Sequence, residues 1–334
     1  MEEAVDIVIS GYGRRLGISG ECVAIYQGKN SIENIPLFRV RSVTVEGKGV
    51  SLTTEFILQC AKEGIIVLFT NKIGDPDAIL SSPHFNATIT TRRNQIKALD
   101  STVGFSLSKI IVASKIHNQA QLLKYAIKNK KKNVSEEITS NIKQLEKISL
   151  NTTSLKDVLL TSGREKLLGI EGNAGRIYWE AFSEICSADF GGRIHRNATD
   201  PINQAINYGY GILYRVVWTG LLKAGLEPFA GLLHTDRPGK PSMVLDVVEE
   251  FRAPIVDRVI LAIANRKQPI KSEGSFLTAE TRSIIAKEVI KRFETKERYK
   301  GAKFQLYSII VQQCRAIASH LRNENIYKPY KFKW

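Results

Sequence analysis

Two rhythms of apolar and polar positions divide the chain. Up to about residue 85, β-branched and apolar residues come in short runs: Val5–Ser10, Glu21–Gln27, Asn34–Val40 and Ser42–Val45. Glycine and asparagine turns at Gly11–Gly13, Gly28–Asn30 and Gly47–Gly49 separate them, which predicts short strands. Thr53–Lys62 reads as a short helix, with a threonine cap, Glu55 in its first turn and Gly64 beyond its end. Ile65–Thr70 reads as a buried strand, and Gly74-Asp75-Pro76 and Ser81-Ser82-Pro83 then punctuate a linker. From Asn94 the period becomes helical. Ile96, Leu99, Val103, Leu107, Ile110 and Ile111 recur at three- and four-residue steps. Helices are predicted over Asp100–Lys115 and His117–Lys130 (as one helix or two), Glu136–Ile148, Ser154–Leu160, from Ser162 onward, Asp200–Ala224, Thr278–Arg292 and Ala302–Arg322. Asp200 is placed to cap its helix, with Pro201 at the first position, where a missing N–H costs nothing. The pattern predicts an α+β chain: a small N-terminal β-rich domain (1–85), a linker (86–93), a larger all-α domain (94–325) and a basic aromatic tail (326–334).

The most informative stretch is Gly231–Arg258, a short apolar run ending at His234, a turn rich in Pro and Gly, and an acidic amphipathic helix. Asp246 and Glu249 lie three apart, so a helix puts both carboxylates on one side, among Val244, Leu245, Val247 and Val248. Carboxylates beside such neighbours are costly unless compensated, by a divalent cation or by an arginine such as Arg252. Glu250, about 100° round the helix, is expected to face solvent or Arg252. Upstream, Glu171 stands between Gly169-Ile170 and Gly172 in an otherwise apolar, aromatic helix, which would let a phosphate or a metal approach the backbone. Hard oxygen ligands with one imidazole suit metal-assisted phosphodiester chemistry. Spacing alone does not separate that role from a surface glutamate, a structural histidine and a salt-bridged helix face.

Charge narrows the partners. Lys and Arg number 48 against 33 Asp and Glu, a net charge of +15, which favours a polyanion, nucleic acid before an anionic membrane surface. The run Lys130–Asn133 reads as a solvated loop. The four cysteines, Cys22, Cys60, Cys186 and Cys314, are scattered, which argues against a zinc ribbon or a disulfide framework and fits a reducing cytosol. No apolar run is long enough to cross a bilayer and the N-terminus does not read as a secretory signal, so a soluble cytoplasmic protein is expected.

The segments Arg196–Tyr214 (RNATDPINQAINYGYGILY) and Gly225–Arg258 (GLEPFAGLLHTDRPGKPSMVLDVVEEFRAPIVDR) closely resemble the CRISPR-associated endonuclease and integrase family called Cas one. Gly169–Trp179, Lys115–Gln119 and Gln312–Leu321 resemble it too, and the likeness extends over nearly the whole chain, most weakly over the N-terminal domain. The resemblance implies a metal site in which Glu171, His234 and Glu249 hold Mn2+ or Mg2+, with Asp246 as a further acidic catalytic residue. Gly175 stands where the family often has alanine, a harmless departure. It also implies an N-terminal dimerisation domain, a homodimer, and a heterohexamer formed with a small ferredoxin-like companion subunit. The substrates implied are double-stranded and branched DNA. Protospacer DNA is inserted into the CRISPR repeat by 3′-OH attack on its phosphodiesters, and a repair nuclease without an integration role is the alternative. Arg237 and Lys240, in the turn beside the metal, are the first DNA-contact candidates, and Arg252, Arg258, Lys287, Lys291, Arg292 and the tail lysines extend the basic surface. Tyr210 and Tyr214, four apart, share a helix face.

Overall fold

Alternation of buried and outward residues builds the N-terminal unit from two four-stranded sheets. The computed structural model describes residues 5–71, 76–82, 89–128, 135–195 and 197–333, and the chain divides into two units, Met1–Ala87 and Thr88–Trp334. In the first unit the strands are β1 (Val5–Ser10), β2 (Arg14–Ser19), β3 (Cys22–Gln27), β4 (Asn30–Pro36), β5 (Val40–Glu46) and β6 (Val50–Leu52), followed by helix α1 (Thr54–Lys62), β7 (Ile66–Thr70) and β8 (Pro76–Leu80). One sheet has the order β1-β5-β7-β8, parallel except at the last pair; the other has the order β4-β3-β2-β6. Thr53 caps α1 as predicted, accepting the Phe56 N–H at 3.2 Å. The cap sets α1 so that Phe56 and Cys60 are buried with Leu16, Val23, Val43 and Val67. Full burial of one such side chain is worth about 1.5–3 kcal/mol. The sequence reading missed β2, whose Arg-Arg-Leu-Gly start hides the alternation, and β8, which occupies the stretch read as linker.

The second unit is helical: α2 (Ile89–Ala98), α3 (Thr102–Lys128), α4 (Glu136–Thr153), α5 (Leu160–Ile185), α6 (Pro201–Ala224), α7 (Ser242–Val248), a π-helical segment Arg252–Asp257, and α8 (Arg258–Asn265). The hairpin β9 (Ser272–Glu273) and β10 (Phe276–Leu277), α9 (Ala279–Glu294), the hairpin β11 (Lys296–Tyr299) and β12 (Ala302–Gln305), and α10 (Leu306–Leu321) complete it. The α+β class holds, with the two hairpins added to the helical unit. Helix α2 begins five residues before Asn94, inside the predicted linker. The stretch 100–130, read as one helix or two, is one, and Ser154–Leu159 is not helical. Residues 302–305 are strand rather than the start of a helix. Asp200 caps α6 through the Asn203 N–H at 2.8 Å, and Gly225 ends it at φ 73°. The Lys130–Asn133 run lies outside the described residues. All four cysteines are free. No helix among the described residues is long and apolar enough to cross a membrane.

The tail is a strap, and Glu250 is its bolt. Contrary to expectation, Glu250 is fully buried. Its carboxylate accepts the Tyr327 hydroxyl at 2.5 Å and the Tyr330 N–H at 3.1 Å. Asn118 on α3 donates to the Glu250 carbonyl at 2.8 Å and the Tyr330 carbonyl at 3.0 Å, and accepts the Phe332 N–H at 2.8 Å. Tyr330 stacks on Phe251, with ring centroids 5.5 Å apart. Burial pushes the Glu250 carboxyl up to about 8, the two tail donors only partly opposing it. A carboxyl whose pKa rises on folding favours the folded state most below its unfolded pKa, and that contribution is lost as pH climbs from about 4.5 to about 8. Glu250→Gln keeps one acceptor for Tyr330 and a partner for Tyr327 without the ionisation. Thermal denaturation should therefore show the variant gaining on the wild type across that window, by up to several kcal/mol. A stability difference that does not change with pH would contradict this.

Candidate metal centre

Three side chains from distant parts of the second unit converge. Ligand atoms of Glu171 on α5, His234 on the α6–α7 loop and Glu249, just past α7, lie within 4.8 Å of one another. Each is held by its surroundings. The His234 loop begins at a tight turn where only glycine fits: a Cβ on Gly231 would stand 2.4 Å from Ser242 Cβ and 2.8 Å from the His234 carbonyl. Gln95 of α2 ties the start of this loop, donating to the Glu227 and Ala230 carbonyls at 2.9 and 2.7 Å.

Asp246 holds the rest of the loop. Its carboxylate is fully buried and accepts the N–H groups of Leu232, Leu233 and His234 at 2.5, 3.0 and 2.9 Å. The same carboxylate contacts His234 Nδ1 at 2.7 Å. Asp246 is thus placed behind the histidine rather than within the cluster, and it leaves Nε2 as the nitrogen that can bind. This is the carboxylate–histidine arrangement that fixes ring orientation and tautomer at metal sites. Asp246 and Glu249, three apart, therefore turn to different partners.

Glu249 is 3% exposed and carries two cations: Arg252 at 2.9 Å and Lys115 at 2.6 Å. Lys115, on α3, also reaches Glu171 at 2.5 Å. Of the two compensators weighed for the buried acid, the arginine is present, and the Lys115 ammonium stands between the two acids. Burial pushes the Glu249 pKa up, but Arg252 and Lys115 outweigh it and hold the carboxyl at about 2. Burial pulls Lys115 down, but Glu171 and Glu249 outweigh it, and the ammonium is held above its ordinary range. For His234, burial lowers the pKa, and the hydrogen bond and charge of Asp246, with Glu249 and Glu171 behind, raise it by more.

Beyond Glu249 the α-helical ladder does not continue. Pro254 has no N–H to offer, and the chain takes π-helical turns over Arg252–Asp257. This wide segment aims Arg252 and Asp257 at the cavity. Arg252 donates to the Tyr214 hydroxyl at 2.8 Å and lies 4.7 Å over the Tyr210 ring. Tyr178 and Tyr210 both donate to Asp257, at 2.8 and 2.7 Å. Tyr210 and Tyr214 do share a face, their rings stacked at 6.5 Å.

The cluster opens into a cavity of about 640 Å3, whose walls include Lys115, Gly172, Gly175, Arg193, His195 and Lys240. At Gly172 and Gly175 an added Cβ would meet nothing within 4 Å, so packing does not demand these glycines; they keep one face of α5 low beside Glu171. Three of these residues escaped sequence assignment. Lys115 interrupts the apolar stripe of α3 that runs through Ile111, which was the available signal. Arg193 follows Gly191-Gly192 and is steered by Asn203 and Asn207 at 2.9 and 2.6 Å. His195 is exposed at the cavity wall, and partial desolvation, followed by Arg193, Arg252 and Lys115, pulls its pKa down to about 4, so it is neutral at physiological pH. Of the predicted DNA contacts, Lys240 and Arg252 line this cavity, while Arg237 is exposed in the turn and does not. Arg258 and Arg292 line a different cavity, and Lys291 is exposed on α9.

The donor set fits a divalent cation. Two carboxylate oxygens and an imidazole nitrogen suit Mn2+ or Mg2+, and their spacing is comparable with the roughly 4 Å span across such an ion. Glu249 Oε2 is buried with no aligned hydrogen-bond donor, only the Lys115 ammonium beside it.

Comparisons with known proteins bear on the chain as a whole. A family model described as "CRISPR associated protein Cas1" matches residues 7–296. The CRISPR-associated endonuclease Cas1 1 of Francisella tularensis subsp. novicida is 32% identical over 331 residues, 98% of this chain and 99% of the relative. Among solved structures, a casposase bound to integration product superposes with a TM-score of 0.76 at 22% identity, over 96% of this chain and 91% of that one. A Cas6-RT-Cas1–Cas2 complex chain gives a TM-score of 0.74 at 21% identity, over 99% of this chain and 36% of that one. At these identities the two structures share the fold.

Proposed function

The chain belongs to the CRISPR-associated Cas1 family, and from that premise we propose that it is a divalent-metal-dependent DNA strand-transferase of CRISPR adaptation. The observation that carries the proposal is the meeting of Glu171, His234 and Glu249 at the floor of a basic cavity. The 3′-OH of a protospacer strand attacks a phosphodiester at the edge of the repeat. One P–O bond forms as another breaks: the repeat strand's 5′-phosphate passes to the protospacer 3′-oxygen, the flanking strand leaves with a new 3′-OH, and a second attack on the opposite strand completes insertion. When bound, Mn2+ or Mg2+ polarises the scissile phosphate and offsets the charge growing on its oxygens.

The protein's own groups do the rest. Glu171, Glu249 and His234 Nε2 are the metal-holding atoms, and Asp246 is a positioning residue that acts through His234. Arg252, fastened to Glu249 and to Tyr214, keeps the acid ionised and in place. Arg193 and Lys240 present positive charge to a strand entering the cavity, and the low face at Gly172 and Gly175 admits its backbone. The N-terminal unit serves dimerisation, and the working assembly in the cytoplasm is two such dimers joined by a small ferredoxin-like companion subunit.

A joining assay tests the proposal. Labelled DNA with a free 3′-OH is mixed with supercoiled plasmid carrying a CRISPR repeat and Mn2+, with and without the companion. The expected product is label joined to nicked plasmid. Cleavage without joining under every condition would instead make the protein a nuclease.

A further inference from the structure

A second cavity, of about 510 Å3, lies in the helical unit and shares no lining residue with the metal centre. Its walls come from the end of α3 (Tyr125, Lys128), the start of α8 (Arg258), α9 (Arg292), the approach to and body of β11 (Thr295–Arg298) and the tail (Lys331, Lys333). Seven of these residues are cationic and one, Glu297, is acidic. That single carboxylate is already committed. Arg292 and the Tyr330 hydroxyl both donate to it at very short range, and Arg258 stands 3.8 Å away. Lys296, Arg298, Lys331 and Lys333 are exposed and have no carboxylate partner among the described residues.

The cavity is built rather than incidental. Arg258 is held 4.3 Å over the Tyr125 ring and 5.4 Å from the Phe332 ring. Arg292 is 8% exposed and donates to the Pro254 carbonyl at 2.9 Å. The burial of Tyr330 and Phe332 fixes Lys331 and Lys333 at the rim. Gathering like charges in a concave surface destabilises the protein alone, and a polyanion relieves it.

We propose that this cavity is a second DNA site, which takes phosphodiester groups of the strand whose reacting phosphate lies at the metal centre. The inference rests on the function proposed above. Helix α3 links the two places: Lys115 lies in the metal cluster and Lys128 in the second cavity. Thirteen residues of helix separate them by about 20 Å along its axis and about 140° around it, so a strand joining them spans at least about six nucleotides at about 3.4 Å per phosphate. Arg292, whose donors Glu297 and Pro254 occupy, shapes this site, and the exposed lysines and Arg298 make the contacts. Such contacts set the path of the DNA without reading its sequence.

The test is the triple variant Lys296→Gln, Arg298→Gln, Lys331→Gln in the full chain, all exposed positions outside the metal cavity. DNA binding is measured by anisotropy over a series of salt concentrations. Each lost phosphate contact should make the plot of log K against log salt shallower by about 0.9, so the triple variant should lose between one and three units of slope. The joining rate at subsaturating long DNA should fall in step with the lost affinity. Substrates with fewer than about six nucleotides beyond the reacting phosphate should bind wild type and variant equally. Equal slope and affinity on long DNA, with wild-type joining intact, would overturn this site while sparing the proposed function. So would inorganic phosphate stabilising the wild type but not the variant while DNA binding is unchanged, which would make the cavity a site for free phosphate. A wild type that neither binds nor joins DNA would remove both readings.

Discussion

His234→Ala is expected to cut metal-dependent joining by at least about a hundredfold, since even outer-shell partners of metal ligands cost 10–100-fold when lost, while the chain stays folded. The fold should survive because of what Asp246 does. Its carboxylate keeps three backbone N–H partners, those of residues 232, 233 and 234, after the imidazole is gone. The ring itself is part-exposed, and its removal leaves Asp246 without one of four hydrogen-bond partners. Two readouts run together: joined product in the plasmid assay, and the rise in melting temperature on adding Mn2+. The variant should lose both and keep the metal-free melting temperature within a few degrees of wild type. Wild-type joining by the alanine variant would remove His234 from the site. Lost joining with an undiminished Mn2+ shift would leave Glu171 and Glu249 as a sufficient metal site and confine His234 to the chemistry.

The second unit was legible where periodicity and caps agree, as at α6, whose Asp200 cap and Pro201 start mark its first turn and whose Gly225 marks its end. It was less legible where tertiary contacts override pattern. Residues 154–159 have helix-compatible composition but are not helical, and Lys109 ties them down through the Leu155 carbonyl at 2.8 Å and Asp157 at 2.6 Å. The α+β class followed from the change of period near residue 90, and the two small hairpins were too short to leave one. At the site, resemblance selected Glu171, His234 and Glu249, and the fold brings those three together. Spacing put Asp246 and Glu249 on one helical side. It did not say that a loop folding back over α7 would claim the first with three amides. Glu250 was misread for a related reason. Helical geometry points it away from Glu249, but the side it faces is covered by a tail 77 residues later in the chain, which no local pattern reveals.

Lys115 is the residue the sequence reading quoted without assigning a role, and it carries the second large expected effect. Its ammonium lies 2.5 Å from Glu171 and 2.6 Å from Glu249, in the space where their shared charge would otherwise call for a metal. Lys115→Met keeps the length and apolar stem of the side chain and removes that charge. Without metal, Glu249 then has Arg252 on one oxygen only, and Glu171 loses its ion-pair partner. Breaking a buried pair by removing one partner costs about 3–5 kcal/mol. Glu171 keeps some exposure, so the lower end applies, and the metal-free variant should melt several degrees below wild type. Saturating Mn2+ should recover most of that loss, because a divalent cation neutralises the same oxygens. Binding adds stability as the logarithm of metal concentration over Kd. The variant, with no ammonium to displace, should therefore show the larger Mn2+ shift and the lower Kd. The comparison is a melting series in chelator and in graded Mn2+ for both proteins. Equal metal-free stability and equal shifts would show that Lys115 does not occupy the cation's place. A lower Kd combined with lost joining would mean that the ammonium, displaced from the acids by the metal, is needed again at the scissile phosphate.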